Sequence, residues 1–186
     1  IAWAANHSEN AVRIHSLNNP NTKHACEDVF TINYFDDVPF ADFLMSSPAC
    51  QGHSAASQPK RRRYHEELRF TAWATIQAVD AMRPEFVVVE NVPHFKSRWD
   101  GYNSWLRCFH GLGYETEEHV LNAADFGVPQ IRNRLFVVAK LGAKPNLSFE
   151  PQERVSIGDI LEDTDEGWQE KVCSGDQIRF AAGRER

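Results

Sequence analysis

A thiol at Cys50, a carboxylate at Glu90 and two guanidiniums at Arg132 and Arg134 are the side chains of this sequence whose types could do chemistry. Cys50 follows the apolar run Phe43-Leu44-Met45 and stands among the turn-formers Pro48, Gly52 and Ser54. A free thiol is most often a small buried hydrophobe. One that sits just past the carboxyl end of a strand, however, lies where open α/β sheets build their sites, which makes Cys50 a candidate nucleophile. Glu90-Asn91 closes the apolar stretch 85–92, where an acid is ordinarily an exposed strand end. Gln130, Arg132 and Arg134 alternate, and an extended segment would point all three to one face. Two guanidiniums and an amide on one face suit anions and base edges. Lys60, Arg61, Arg62 and Arg63 form the densest basic run. Such a run is usually a solvated loop, yet its place about ten residues after the thiol suits a loop that grips phosphates.

The elements that must carry these groups are legible from periodicity. Residues 1–6 read as a buried strand, and Ser8 as the N-cap of a helix that Asn18-Asn19-Pro20-Asn21 ends. Residues 24–29 read as a second strand, and Phe43-Leu44-Met45 as a third, buried one. Leu68, Ala72, Ile76, Val79 and Met82 recur at helical spacing, and Pro84 closes that helix. Residues 85–92 are β-branched and apolar enough for a central parallel strand. Trp99, Tyr102, Leu106, Phe109 and Leu112 outline one more helix, ended by Gly111 and Gly113. Residues 114–121 and 134–139 read as the last strands.

Composition bounds the possibilities. The 186 residues suit one sizeable domain, and 42% hydrophobic with 25% charged residues is ordinary for a soluble protein. No apolar run approaches a membrane span, so no membrane partner is expected. Four scattered cysteines favour a reducing, cytoplasmic setting. A net charge of −6 argues against polyanion binding by the whole surface but leaves room for a local basic patch. His24 and Cys26 have no second pair at zinc-site spacing, so no metal is expected.

Taken together, Cys50-Gln51-Gly52, Glu90-Asn91-Val92 and Gln130-x-Arg132-x-Arg134 resemble the DNA cytosine-5 methyltransferases, each block forty positions after the last. The resemblance covers roughly residues 1–140. It implies an α/β, Rossmann-like S-adenosylmethionine-dependent methyltransferase core with a mostly parallel sheet. It implies that Cys50 adds to cytosine C6, making C5 enamine-like. Glu90 would then meet the base at N3, Arg134 the base side and Arg132 the backbone side. Asn6, Asp28 and Pro48 match cofactor-binding positions, with S-adenosylhomocysteine as the product. Gln51, Ser54, Asn91 and Gln130, with the basic run 60–63, would contact double-stranded DNA whose target base is flipped out.

The departures from the family pattern are specific. Ala49 stands where the family has Pro before the nucleophile, and Asn6 replaces a carboxylate expected on the ribose. The Gly-rich first block is absent, as are the closing elements. The expected core is therefore incomplete at both ends: residues 1–145 form a partial catalytic domain and 146–186 the start of a target-recognition region or linker. This chain alone is expected to be inactive, with a second chain or self-association completing the sheet. A restriction-modification setting follows from the resemblance. Two other readings stay open: a non-catalytic DNA-binding fragment, and an RNA cytosine-5 methyltransferase.

Overall fold

The computed structural model describes residues 1–49 and 62–159, the side chains of 62–70 and 159 excepted. The chain divides into two compact units, 1–154 and 155–186; of the second, the described part is a single 3-10 turn, Ile157–Asp159. The first unit begins with strand β1 (Trp3–Ala5), helix α1 (Glu9–Asn18) and strand β2 (Lys23–Ala25). Ser8 caps α1 as expected, its hydroxyl accepting from the Ala11 N–H, and Asn19 ends it by donating its own N–H to the His15 carbonyl. β1 and β2 pair in parallel as a separate two-stranded sheet. Both strands are shorter and more exposed than the sequence suggests. Ile1 is solvent-exposed, and β2 stops at Ala25 because Asp28 opens a turn with its carboxylate on the Phe30 N–H.

Strands β3 (Phe43–Ser46), β4 (Phe86–Asn91), β5 (Tyr114–Asn122) and β6 (Asn133–Leu141) form the main sheet, in the order β3-β4-β6-β5. β3 and β4 are parallel, while β6 runs antiparallel to both β4 and β5. Three strands therefore point one way and only β6 is reversed, an α/β, Rossmann-like fold whose strands mostly run parallel, although β6 makes two of this sheet's three pairings antiparallel. The apolar stretch 86–89 takes the central place its composition demands, parallel to β3 on one side and antiparallel to β6 on the other.

Side-chain alternation sorts the sheet into two unlike faces. Val87, Val89, Leu135 and Val137 are buried on one. Against them pack helices α2 (Arg62–Met82), α3 (His94–Arg98) and α4 (Tyr102–Gly111) through Ala72, Val79, Phe95, Trp105 and Phe109. On the other face Phe43 and Met45 remain 54% and 65% exposed, so β3 is a half-buried edge and not the fully buried strand its apolar residues suggest. The core is aromatic. Phe95 meets Trp105 edge-on at 5.5 Å and Trp105 meets Phe109 at 5.0 Å, geometries worth about 0.5–1.5 kcal/mol each beyond area burial. Their polar tips are satisfied: Trp105 Nε1–H donates to the Ala72 carbonyl at 2.9 Å, and the Tyr114 hydroxyl to the Pro84 carbonyl at 2.6 Å.

The helix expected over 99–112 is α4, which starts three residues later at Tyr102, and a short helix that the periodicity did not mark, α3, precedes it. Trp99-Asp100-Gly101 separates α3 from α4, and the Trp99 ring packs so close over Gly101 that a Cβ there would meet it at 2.7 Å. α2 ends at Met82 as Pro84 requires, with Arg83 at φ 50° closing the turn and its guanidinium 5.6 Å from the Tyr114 ring centre.

Candidate functional site at the strand ends

The parallel strands bring their carboxyl ends to one edge, and there the candidate residues gather. β3 runs out into Ser47-Pro48-Ala49, which leads to Cys50. Three hydrogen bonds hold this short segment. Ser46 Oγ lies 2.7 Å from Thr75 Oγ1, the Ala49 N–H donates to Thr71 Oγ1 at 3.0 Å, and Asn91 Nδ2 donates to the Pro48 carbonyl at 3.0 Å. Cys50, Gln51, Ser54, Lys60 and Arg61 lie outside the described residues. Arg62 and Arg63 open α2, but their side chains lie outside them too.

Glu90 and Arg134 meet directly, Arg134 Nε donating to Glu90 Oε1 at 2.7 Å. Register explains the encounter. Glu90 sits opposite Phe136, so Arg134, two residues earlier on β6, is its diagonal neighbour on the same face. The distance is that of a charge-assisted hydrogen bond, and the side chains keep 27% and 23% of their exposure. The pair is therefore shielded from bulk solvent yet reachable from it.

The segment before Arg134 differs from the sequence expectation. The chain bends at Pro129-Gln130, where the Gln130 N–H turns back to the Val128 carbonyl at 2.7 Å. Gln130 therefore does not continue the alternation of Arg132 and Arg134; all it shares with Arg132 is exposure. The loop is held at its neck by Asn122, whose Oδ1 accepts from the N–H groups of Ala124 and Arg132. Gly127 adopts φ +75°, a left-handed turn where a Cβ would also lie 2.9 Å from Gln152 Oε1. Arg154 clasps the loop from outside, its Nε and Nη2 both donating to Asp125 Oδ1 at 2.8 and 2.6 Å.

Asn91 corrects an expectation. It was expected to contact DNA, but its side chain is only 2% exposed. Both ends of its amide are engaged, Nδ2 with the Pro48 carbonyl and Oδ1 with the Val92 N–H. It joins the end of β4 to the segment before Cys50 and has no surface to offer a duplex. Thr71, Thr75 and Asn122 are the positioning residues that sequence reasoning missed. The visible signal for the threonines was two hydroxyls one helical turn apart beside the apolar stripe of α2.

Asn6 and Asp28 stand just past the ends of β1 and β2, on the same edge of the small sheet, where the Asn6 N–H bonds the Ala25 carbonyl at 3.2 Å. Asn6 Oδ1 accepts from the Ser8 N–H and Asp28 Oδ1 from the Phe30 N–H. Asn6 Nδ2 and Asp28 Oδ2 have no partner among the described residues, so one donor and one acceptor face outward. Among the described residues no group of three or more His, Cys, Asp or Glu could hold a metal ion, and no helix is long and apolar enough to cross a membrane.

The mixed α/β unit, with a carboxylate–guanidinium pair at its strand ends, has the Rossmann-like fold of methyltransferases. The family model for C-5 cytosine-specific DNA methylases matches residues 1–180, and the chain belongs to that family. Type II methyltransferase M.NlaIV of Neisseria lactamica is 31% identical over 163 residues, covering 75% of this chain and 38% of the relative. Type II methyltransferase M.NgoBV of Neisseria gonorrhoeae is 30% identical over 173 residues, covering 74% and 40%. The chain thus spans about two-fifths of the length of these relatives. The S. pombe Dnmt2 methyltransferase shares the fold at a TM-score of 0.60 and 21% identity, over 86% of this chain and 45% of that one.

Proposed function

We propose that this chain is the central part of a cytosine-5 methyltransferase that moves a methyl group from S-adenosylmethionine to C5 of cytosine in double-stranded DNA. The observation that carries the reading is the Glu90–Arg134 pair at 2.7 Å, set at the strand ends beside the segment that delivers Cys50, in a chain of this family. Cytosine C5 is too poor a nucleophile to take a methyl group unaided. The Cys50 thiolate adds to C6 and loads electron density onto C5, which is covalent catalysis. Glu90 meets N3 of the base as the carboxylic acid, gives its proton to N3 as the thiolate adds and recovers it when the thiolate leaves, while Arg134 fixes the carboxyl group through its Nε. Once C5 carries the methyl group, loss of its proton and departure of the thiolate restore the ring and free Cys50. The base must leave the stack to reach these groups.

The sulfonium cofactor, when bound, supplies the electrophilic methyl group. Asn6 Nδ2 and Asp28 Oδ2 offer it one hydrogen-bond donor and one acceptor, and Pro48 a half-buried wall. Arg132, Gln130, Gln51, Ser54 and the run Lys60 to Arg63 are assigned to the DNA. The basic run supplies phosphate contacts and no base reading. The type II names of the bacterial relatives support a restriction-modification setting. The test is transfer of labelled methyl from S-adenosylmethionine to duplex DNA by the full-length protein, followed by nuclease digestion. 5-Methylcytosine as the labelled nucleoside supports the reading. Label on N4 of cytosine, on adenine or on RNA alone overturns it.

A further inference from the structure

We infer that Thr71 is a positioning residue for the nucleophile, acting through the N–H of Ala49. Of the three bonds described at the end of β3 and on the segment after it, this one touches the residue next to Cys50. The two threonines lie one turn apart on α2, and both hydroxyls reach the same segment, Thr75 to Ser46 and Thr71 to Ala49. Packing alone does not ask for them. Valine has the same shape without the hydroxyl, and a shielded hydroxyl costs free energy unless it is bonded. A threonine on a helix is confined to two χ1 rotamers, so few side-chain states are lost when Thr71 Oγ1 takes the Ala49 N–H.

Residue 49 explains why such a bond is needed. A proline there would fix its own φ near −65° and carry no N–H. Ala49 leaves that angle free and has an N–H, which Thr71 accepts at 3.0 Å. The hydrogen bond therefore supplies by tertiary contact the restraint that a ring would supply locally. Displacing a reacting atom by about 1 Å costs on the order of a hundredfold in rate, so a loose joint one residue before the thiol falls on turnover and spares DNA affinity.

The inference rests on Cys50 being the nucleophile, and two measurements on the full-length protein separate its failure from failure of that reading. The first is methyl transfer by Thr71→Val, Thr71→Ser, Ala49→Pro and the double variant Ala49→Pro/Thr71→Val. Thr71→Val is expected to lower kcat by about ten- to a hundredfold with KM for DNA within about twofold, and Thr71→Ser to stay near wild type. Ala49→Pro should restore most of the rate in the Thr71→Val background, because the ring replaces the lost restraint. The second is amide exchange at Ala49, read by NMR: about fivefold or more faster in Thr71→Val and unchanged in Thr71→Ser. Equal kcat in the Val and Ser variants, or losses from Ala49→Pro and Thr71→Val that simply multiply, overturn the inference. If the wild-type protein transfers no methyl group, the functional reading fails. The exchange measurement then decides alone, and unchanged exchange in Thr71→Val refutes the anchoring.

Discussion

Replacing Glu90 by Gln and Arg134 by Met, singly and together, measures how firmly the strand-end pair is built. Two unit charges about 4 Å apart attract by roughly 4 kcal/mol at an effective dielectric of about 20. Desolvation and the ordering of two long side chains offset much of that. Fully exposed pairs retain only about 0.2–1 kcal/mol in double-mutant cycles, whereas breaking a fully buried pair costs about 3–5 kcal/mol. Glu90 and Arg134 keep 27% and 23% exposure, which places them between these limits. The coupling free energy is therefore expected at about 1–2 kcal/mol, roughly a five- to thirtyfold change in the folded-to-unfolded ratio. Methionine keeps most of the apolar stem of Arg134, so the cycle isolates the charge from the packing. Urea unfolding of the four proteins reads it, with the denaturant slope unchanged across the set. Coupling below about 0.3 kcal/mol would show that the 2.7 Å contact contributes no more than a solvated surface pair, and would refute the reasoning.

Further outcomes follow from the core and from its tyrosines. Trp105→Phe removes the indole donor to the Ala72 carbonyl and leaves a gap, at about 2 kcal/mol, so thermal unfolding should move down by about 4–8 °C; a shift under about 1 °C contradicts the packing described. Three of the four tyrosines should resist ionisation. Burial, with Asp28 nearby, pushes Tyr34 up to about 12; burial and the Glu118 carboxylate raise Tyr102; and burial raises Tyr114 against the opposing Arg83 charge. A folded-state pKa above the ordinary phenol value stabilises the fold fully below about pH 10, and for Tyr34 that contribution is lost as pH rises through about 12. Ultraviolet titration should show these phenolates appearing at higher pH in the native protein than in urea, where they appear near pH 10; native titration of all three near 10 contradicts the assignment.

What could be read from the sequence and what could not divide along physical lines. The run 86–89, the Ser8 cap and the close of α2 before Pro84 depend on local composition, and the structure has each of them. The helix marked by Tyr102, Leu106 and Phe109 is there as α4, but its start at Tyr102 turns on how the Trp99 ring packs over Gly101, which periodicity does not encode. Gln130 was misplaced because alternation was carried back from Arg134 and Arg132 to Gln130, beyond the start of β6 at Asn133 and into the bend at Pro129-Gln130. Asn91 was given to the DNA on the resemblance alone, whereas its amide is taken up by the Pro48 carbonyl, 43 positions away. Thr71 and Thr75 act across a similar gap of 22 and 29 positions, and no local pattern assigns them partners. The Glu90–Arg134 contact needed both the register of β4 with β6 and the resemblance that named the two residues.

The central claim is that the thiol of Cys50 bonds to cytosine C6 while the methyl group is delivered to C5. Duplex DNA carrying 5-fluorocytosine at the target position tests it most directly, because fluorine cannot leave as the C5 proton does and the adduct is trapped after methyl transfer. The full-length protein with S-adenosylmethionine is expected to give a denaturation-resistant protein–DNA species, mapped by mass spectrometry to the peptide containing Cys50 and lost in Cys50→Ala. Cys26→Ala and Cys108→Ala should leave it intact, since one thiol follows β2 of the separate two-stranded sheet and the other sits within α4, neither on the segment after β3. An adduct that survives Cys50→Ala, or methyl transfer to ordinary cytosine with no adduct on the fluorinated duplex, would contradict the account.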